Sequence, residues 1–227
     1  KLKDLGVHIP EERRVKIGYP KFDDYVNGKI NRKKHLNHLG IKDLQRKNIL
    51  YAPTWKWGNG TLHKYVYSFC RKLTREFNLI IRPHFFERKY IPSLKVWTKL
   101  NKIKHVYFSN PTNLLQNSSV NDFSVSDLLI SDTSSILYEY LITGNPIIIA
   151  ESGYLDLHNM PATMDIHKIA ATYYDSPRSD IAAVVQECLE GPDKRKNYEE
   201  LLNNCFYFND GSCTERAIQF LTSLEKF

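Results

Sequence analysis

The stretch Ser126-Asp127-Leu128-Leu129-Ile130-Ser131-Asp132-Thr133-Ser134-Ser135-Ile136-Leu137-Tyr138-Glu139-Tyr140 decides the fold. An apolar run of strand length ends in Asp-Thr-Ser-Ser, and a helical pattern begins at once. A strand that feeds directly into a helix is the repeating unit of a parallel α/β sheet. The junction also places free backbone N–H groups and the hydroxyls of Thr133, Ser134 and Ser135 at a helix start, where anions bind well. Ligands of such sheets gather at the carboxyl ends of the strands. The stretch therefore predicts a phosphate site together with a fold class.

The same alternation continues on both sides. Downstream, Gly144-Asn145 turns the chain into the buried strand Pro146-Ile147-Ile148-Ile149-Ala150. Upstream, Asn48-Ile49-Leu50-Tyr51-Ala52 reads as a strand stopped by Pro53, and Trp55 to Gly60 as a loop. A helix follows from about Thr61, with Leu62, Tyr65, Val66, Phe69, Leu73 and Phe77 at helical spacing. Asn78-Leu79-Ile80-Ile81-Arg82 is the next strand, closed by Pro83-His84. Lys104-His105-Val106-Tyr107-Phe108 is another, and Asn113-Leu114-Leu115 a short helix or turn. Helices are predicted over 179–190 and 194–205, and a last one after Asp210-Gly211-Ser212, with Ala217, Ile218, Leu221 and Leu224 on one face. Val15-Lys16-Ile17-Gly18 is expected as a short strand before the turn Gly18-Tyr19-Pro20. The predicted architecture is α/β: a Rossmann-like parallel sheet with helices on both faces. Residues 1–47 read as a basic linker, helical over 23–47, and residues 48–227 as the Rossmann-like lobe.

A chain of 227 residues can bury one sizeable core. Its composition, 42% hydrophobic and 25% charged, is that of a soluble globular protein. The formal charge of +7 favours anionic partners without choosing among them. Much of the basic excess lies early, around Arg32, Lys33 and Lys34. It is either a solvated surface or a patch facing anionic lipid or polymer. Cys70, Cys188, Cys205 and Cys213 lack C-x-x-C spacing and read as buried free thiols, which suits a reducing cytoplasm. No apolar run reaches the roughly 20 residues that span a bilayer, and no signal peptide is evident. Without an initiator Met, the chain is expected to be part of something longer. Metal-ligand spacing is absent, and so are the Gly-rich nucleotide fingerprints of ATPases and NAD enzymes. Nucleic-acid motifs are absent too.

Four polar clusters follow predicted strands and so share one rim of the sheet. They are Pro53-Thr54-Trp55-Lys56, Arg82-Pro83-His84, Asp132-Thr133-Ser134-Ser135 and Glu151-Ser152-Gly153-Tyr154. Together their hydroxyls, Arg, Lys and His fit a cleft that holds a diphosphate. Singly, each has a plainer account. Ser134 caps its helix, Asp132 orients the turn, Arg82 pairs with a surface acid, and His84 is a satisfied half-buried histidine. Trp55 and Trp57 read as core in preference to a stacking face. Glu139 lies four residues past Ser135 on the same helix face, where it either accepts from ribose hydroxyls or is a solvated charge. Arg216, after the Gly211 turn, either reaches an anion or is a surface charge.

In this order the clusters resemble the CDP-glycerol glycerophosphotransferase family, the teichoic-acid primases and polymerases. The matching segments are Ile49-Leu50-Tyr51-Ala52-Pro53-Thr54-Trp55-Lys56, Ile81-Arg82-Pro83-His84, Leu129 to Tyr140, and Asn209-Asp210-Gly211-Ser212-Cys213-Thr214-Glu215-Arg216. Gly18-Tyr19-Pro20-Lys21-Phe22-Asp23 resembles the family's Gly-x-Pro-Arg-x-Asp turn. Lys56 stands where the family usually has Arg, Thr133 replaces a common Tyr, and Glu139 a common Asp.

The resemblance implies a GT-B architecture of two Rossmann-like lobes, of which this chain is the C-terminal, donor-binding one. The family's proposed general-base histidine would lie just before Lys1. The implied reaction is attack by a polymer-end hydroxyl on the β-phosphorus of CDP-glycerol, releasing CMP. By position, His84 would be catalytic at the donor pyrophosphate. Thr133, Ser134 and Ser135 would cradle phosphate oxygens, with Thr54 and Asp132 in the same donor site. Arg82, Lys56 and Arg216 would add positive charge, and Glu139 would hold the ribose. The cytosine would meet backbone near Tyr107 to Thr112. No cofactor or metal is required. The implied partners are CDP-glycerol or a related nucleotide donor, an anionic phosphopolymer acceptor and an anionic membrane surface, with no nucleic acid. The implied location is cytoplasmic, peripheral at the inner face of the cell membrane. Two alternatives stay open: another GT-B transferase using a nucleotide-sugar or CDP-alditol donor in capsule synthesis, and a non-catalytic anion- or membrane-binding module.

Overall fold

The structure, a computed structural model, describes residue 6 and residues 8–112, 118–153 and 161–224. Leu128–Ser131 lies near the middle of a six-stranded sheet in which every paired strand runs parallel. In chain order the strands are β1 (Asn48–Tyr51), β2 (Asn78–Ile81), β3 (Val106–Phe108), β4 (Leu128–Ser131), β5 (Ile147–Ala150) and β6 (Ala171–Tyr173). Across the sheet they run β3-β2-β1-β4-β5-β6. This is the Rossmann-like α/β fold that the alternation predicted.

Strands β1, β2, β4 and β5 are buried along their whole length because helices cover both faces. Their runs of Ile and Leu suit two apolar surroundings at once, and successive side chains feed two separate cores. Leu50, Ile80, Leu129 and Ile149 pack on one side, and Ile49, Leu79, Ile130 and Ile148 on the other.

The first side is covered by α2 (Arg32–Leu39), α5 (Ser119–Val125), α6 (Ile136–Tyr140) and α8 (Arg195–Cys205), through Leu36, Phe123, Leu137 and Leu202. The second is covered by α3 (Leu62–Leu73), α4 (Ile91–Leu100) and α7 (Ile181–Glu190), through Phe69, Leu94 and Val185. The short α1 (Asp23–Val26) and the final α9 (Cys213–Leu224) complete the set among the described residues. Phe22, Leu36 and Ile41, all within the segment predicted as linker, belong to the first core.

Several expectations need correction. Val15 to Gly18 joins no strand. It runs as irregular chain against the start of α9, where Arg216 donates to the Ile17 carbonyl at 3.5 Å. Gly18 has φ +90°, and a Cβ there would strike Cys213 Sγ and lie 2.7 Å from the Tyr207 carbonyl oxygen, so glycine is required. Residues 23–47 form two separate helices, α1 and α2, with Gly40 in the left-handed conformation ending the second. Neither Trp55 nor Trp57 is core: Trp55 is half-buried and Trp57 is 79% exposed, because the loop that carries both lies over the rim of the sheet. The apolar face of α9 is also uncovered, with Ile218, Leu221 and Leu224 exposed and Cys213 buried at the helix start. The helix or turn expected at Asn113 to Leu115 lies outside the described residues.

Candidate functional site

Strands β1 and β4 are neighbours, and the chain leaves them toward opposite ends of the sheet. Such a switch point opens a crevice beyond the carboxyl ends of the strands. Tyr51 is level with Ile81 on one side and Ile130 on the other, so the next residues, Ala52, Arg82 and Ser131, emerge in one row. Above that row lies a hollow of about 290 Å3. Ala52 and Pro53 reach it from β1, Arg82, Pro83, His84 and Phe85 from β2, and Ser134, Ser135, Ile136 and Glu139 from the chain after β4. Lys21, Pro111 and Ser119 close its sides. Three of the four predicted clusters thus converge, and His84 shares one hollow with Ser134 and Ser135. The fourth is absent from the lining. The Glu151 carbonyl accepts from Tyr65 Oη at 2.6 Å and Lys64 Nζ at 3.2 Å, while Tyr154 lies outside the described residues.

His84 heads the 3-10 turn Phe85–Tyr90, and its Nδ1 accepts the Phe86 backbone N–H at 3.3 Å. That bond assigns the tautomer: the neutral ring carries its hydrogen on Nε2, as a donor. Trp55 stacks on the ring at 6.1 Å between centroids, and Phe86 lies tilted at 5.3 Å. Ser134 and Ser135 lie at the start of α6, where the Ser134 hydroxyl accepts loosely from Ile136 N at 3.4 Å. Ser135 is exposed.

Thr54, Asp132 and Thr133 are absent from the lining and brace the loop beside it. Asp132 is buried and ties the 53–61 loop to β4, accepting from Thr54 N at 2.9 Å, Thr61 N at 2.8 Å and Thr61 Oγ1 at 2.9 Å. Burial pushes its carboxyl above the usual range despite those bonds. Thr54 is engaged through that backbone bond, and Thr133 Oγ1 donates to the Gly58 carbonyl at 2.9 Å. Arg82 lines the hollow, but it is buried, and its guanidinium donates to Asp122 Oδ2 at 2.8 Å and Ser109 Oγ at 3.0 Å. Asp122, on α5, also takes the Ser109 hydroxyl at 2.6 Å and faces His35 Nε2 of α2 at 2.7 Å.

Two predicted cations stand away from the lining. Lys56 is exposed, with its ammonium 5.8 Å from the Trp57 ring, while its backbone N–H donates to Glu87. Arg216 pairs with Asp210 and lies 4.5 Å over the Phe208 ring. Glu139 does line the hollow and is largely occupied. Lys21 Nζ meets it at 2.6 Å, Tyr19 Oη donates at 2.8 Å and Ser119 Oγ at 3.4 Å. Burial and then the Glu139 acceptor push the Tyr19 hydroxyl well up, so it remains a donor.

Sequence reasoning missed Lys21, Ser119 and the Asp122 network. The Gly18-to-Asp23 turn was the available signal for Lys21. Nothing local announced Ser119 or Asp122, which act through tertiary contacts. A larger hollow, about 480 Å3, lies at the opposite rim near Gly144, Cys188 and Arg195, and no predicted site residue reaches it. Among the described residues no three His, Cys, Asp or Glu side chains converge as a metal site needs, and no helix is long and apolar enough to cross a membrane.

Comparison with known proteins places the chain in a family. A chain of the wall teichoic acid polymerase TagF, with CDPG, superposes over 95% of this chain and 51% of its own with a TM-score of 0.62 at 22% identity. The UDP-GlcNAc 2-epimerase of Neisseria meningitidis bound to UDP-GlcNAc follows with a TM-score of 0.55 at 16% identity, over 96% of this chain and 57% of its own. In sequence, the teichoic acid ribitol-phosphate polymerase TarK of Staphylococcus aureus is 26% identical over 94% of this chain and 41% of its own length. The teichoic acid glycerol-phosphate primase of Bacillus subtilis is 31% identical over 62% of this chain and 34% of its own. The chain thus spans well under half the length of these curated relatives. The model of the CDP-glycerol:poly(glycerophosphate) glycerophosphotransferases matches residues 7–223, and the chain belongs to that family.

Proposed function

We propose that this chain is the donor-binding lobe of a transferase that moves a polyol phosphate, glycerol phosphate in the first instance, from its CDP derivative to a growing wall or capsule phosphopolymer. The observation that supports it is the convergence of His84, Ser134 and Ser135 on one hollow at the switch point of the sheet. The polymer-end hydroxyl loses its proton to a base and bonds to the β-phosphorus. The bond from that phosphorus to the bridging oxygen breaks, and CMP leaves with the electron pair. Negative charge grows on the transferring group and on the departing phosphate. Fixed donors aimed at developing charge are commonly the largest catalytic contribution. His84 Nε2–H and the two serine hydroxyls would serve as those donors. The acceptor is an anionic phosphopolymer, and the site of work is the inner face of the cell membrane, toward which the exposed Arg32, Lys33 and Lys34 of α2 would be drawn.

Titration calorimetry on the 227-residue chain with CDP-glycerol, CDP-ribitol, a UDP-sugar and a CMP-sugar tests the donor. The CDP-polyols are expected to bind at least tenfold more tightly than the two sugar nucleotides. Preference for either sugar nucleotide would move the chain to the capsule-type sugar transferases.

A further inference from the structure

Three basic side chains line the hollow, those of Lys21, Arg82 and His84, together with one acidic side chain, Glu139. Arg82 is buried against Asp122, so much of its charge is already offset beneath the floor. Lys21 is different. Its side chain is 33% exposed, and its ammonium meets Glu139 Oε2 at 2.6 Å. An ammonium carries three donors, so this bond leaves two for a ligand. Glu139 meanwhile has both oxygens engaged, by Tyr19 on one side and by Lys21 and Ser119 on the other. It is built as a fixture and not as an open acceptor. The backbone beneath Lys21 is equally fixed. Gly18 is wedged against Cys213, the Tyr19 ring packs on Phe22 and Phe206 at 4.8 and 5.2 Å, and the Asp23 carboxylate accepts from the Cys213 and Thr214 amides.

We propose that Lys21 is the cation of the hollow that binds the diphosphate of a nucleotide, and that Glu139 is its positioning residue. As it stands, Lys21 and Glu139 cancel, and an entering diphosphate adds at least two negative charges. A cation held in place by a carboxylate on α6, the helix that follows Ser135, meets that charge without reorganising, which is the advantage of a preorganised site. Glu139 acts through Lys21 and not on the ribose. The proposal rests on the hollow being the nucleotide-donor site.

Titration calorimetry with CDP tests it on the 227-residue chain and four variants: Lys21→Met, Lys21→Arg, Glu139→Gln and the Lys21→Met/Glu139→Gln double. Lys21→Met is expected to weaken CDP by about tenfold to a hundredfold, the equivalent of one or two charge-assisted hydrogen bonds. It should also flatten the salt dependence of that affinity, and Lys21→Arg should restore most of it. Glu139→Gln is expected to weaken CDP alone but to change nothing further in the Lys21→Met background, a coupling that a merely structural role would not produce. Should Lys21→Met lower the thermal midpoint, Lys21→Gln, which keeps a donor for Glu139, carries the same comparison. CDP binding to Lys21→Met within twofold of the parent chain overturns the role of Lys21 alone. An equal loss from Glu139→Gln in both backgrounds overturns its positioning role. A parent chain that fails to bind CDP overturns the donor-site assignment, and this proposal with it.

Discussion

In the proposed transfer, His84 would turn a backbone detail into chemistry. Its Nδ1 is taken by the Phe86 N–H, and Trp55 stacks against the ring, so the imidazole is held with Nε2–H as its remaining donor. On that proposal, His84→Ala in the complete transferase is expected to lower kcat about a hundredfold or more, the scale for losing one preorganised donor at developing charge. The melting temperature should hardly move, because the ring is half-buried and caps only a short 3-10 turn. Steady-state kinetics beside a thermal melt separates the two effects, and unchanged turnover would remove His84 from the mechanism. At this scale, residues whose backbone leaves a strand straight into the crevice were legible in the sequence. His84, Ser134 and Ser135 follow apolar runs directly, and strand direction alone places them. Lys56 and Arg216 were not placeable in that way. Long side chains go where partners draw them, that of Lys56 on its loop to Trp57 and that of Arg216 in the first turn of α9 to Asp210 with Phe208.

Elements are tied together by residues far apart in sequence, and α9 shows how. The amides of Cys213 and Thr214 at its start donate to Asp23 Oδ1 and Oδ2 at 3.1 and 2.6 Å. A capping carboxylate ordinarily precedes its helix, whereas this one comes from α1, 190 residues earlier. Burial alone would raise the Asp23 carboxyl, but the bonds from Thr214 and Cys213 outweigh it and hold the group below the usual carboxylate range. A carboxyl whose folded pKa is depressed adds stability above its unfolded pKa of about 4 and loses it as pH falls through the lower folded value. Asp23→Ala is therefore expected to cost about 1–2 kcal/mol at neutral pH. The gap from the parent chain should close as the solution is acidified below about pH 4, which denaturant melts at several pH values would check. A gap that persists unchanged in acid would mean the carboxylate charge is not what holds α9. The legible elements were those with unbroken apolar runs, β1, β2, β4 and β5, and those with a long helical period, such as α3. Three were not foreseen. β6 is a three-residue edge strand, Ala-Thr-Tyr, too short to show a period. In α4, Pro92 in the first turn reads as a breaker, yet there its missing N–H does no harm. In α5, Ser, Val, Asn and Asp have weak helical preference, and burial of Val120, Phe123 and Val125 against the sheet overrides it.

The parallel sheet makes the molecule one cooperative body, and the basic N-terminal segment is part of it. Phe22, Leu36 and Ile41 sit in the same core as Leu50 and Leu129. His35 reaches Asp122 at 2.7 Å within the buried network that also holds Arg82 at the floor of the hollow. Asp23 caps α9, and Lys21 meets Glu139 on α6. Composition showed only the charge of this segment. Its apolar residues are broken up by Gly18, Pro20, Gly28 and Gly40 and by runs of basic residues, and their burial depends on surfaces formed by distant chain. Each fully buried Phe, Leu or Ile is worth about 1.5–3 kcal/mol. The three side chains with the Asp23 cap thus approach the 5–15 kcal/mol that holds a typical domain together. A chain cut back to residues 48–227 is therefore expected to lose cooperative unfolding and to expose apolar surface. Calorimetry and dye binding would show a broad or absent transition where the 227-residue chain gives a single sharp one. The shortened chain should also fail to bind CDP, because Lys21 leaves with the deleted segment and the Asp122 network that steadies Arg82 loses His35. A 48–227 chain that melts sharply at the temperature of its parent would instead make the first 47 residues an attachment, and the hollow a property of the sheet alone.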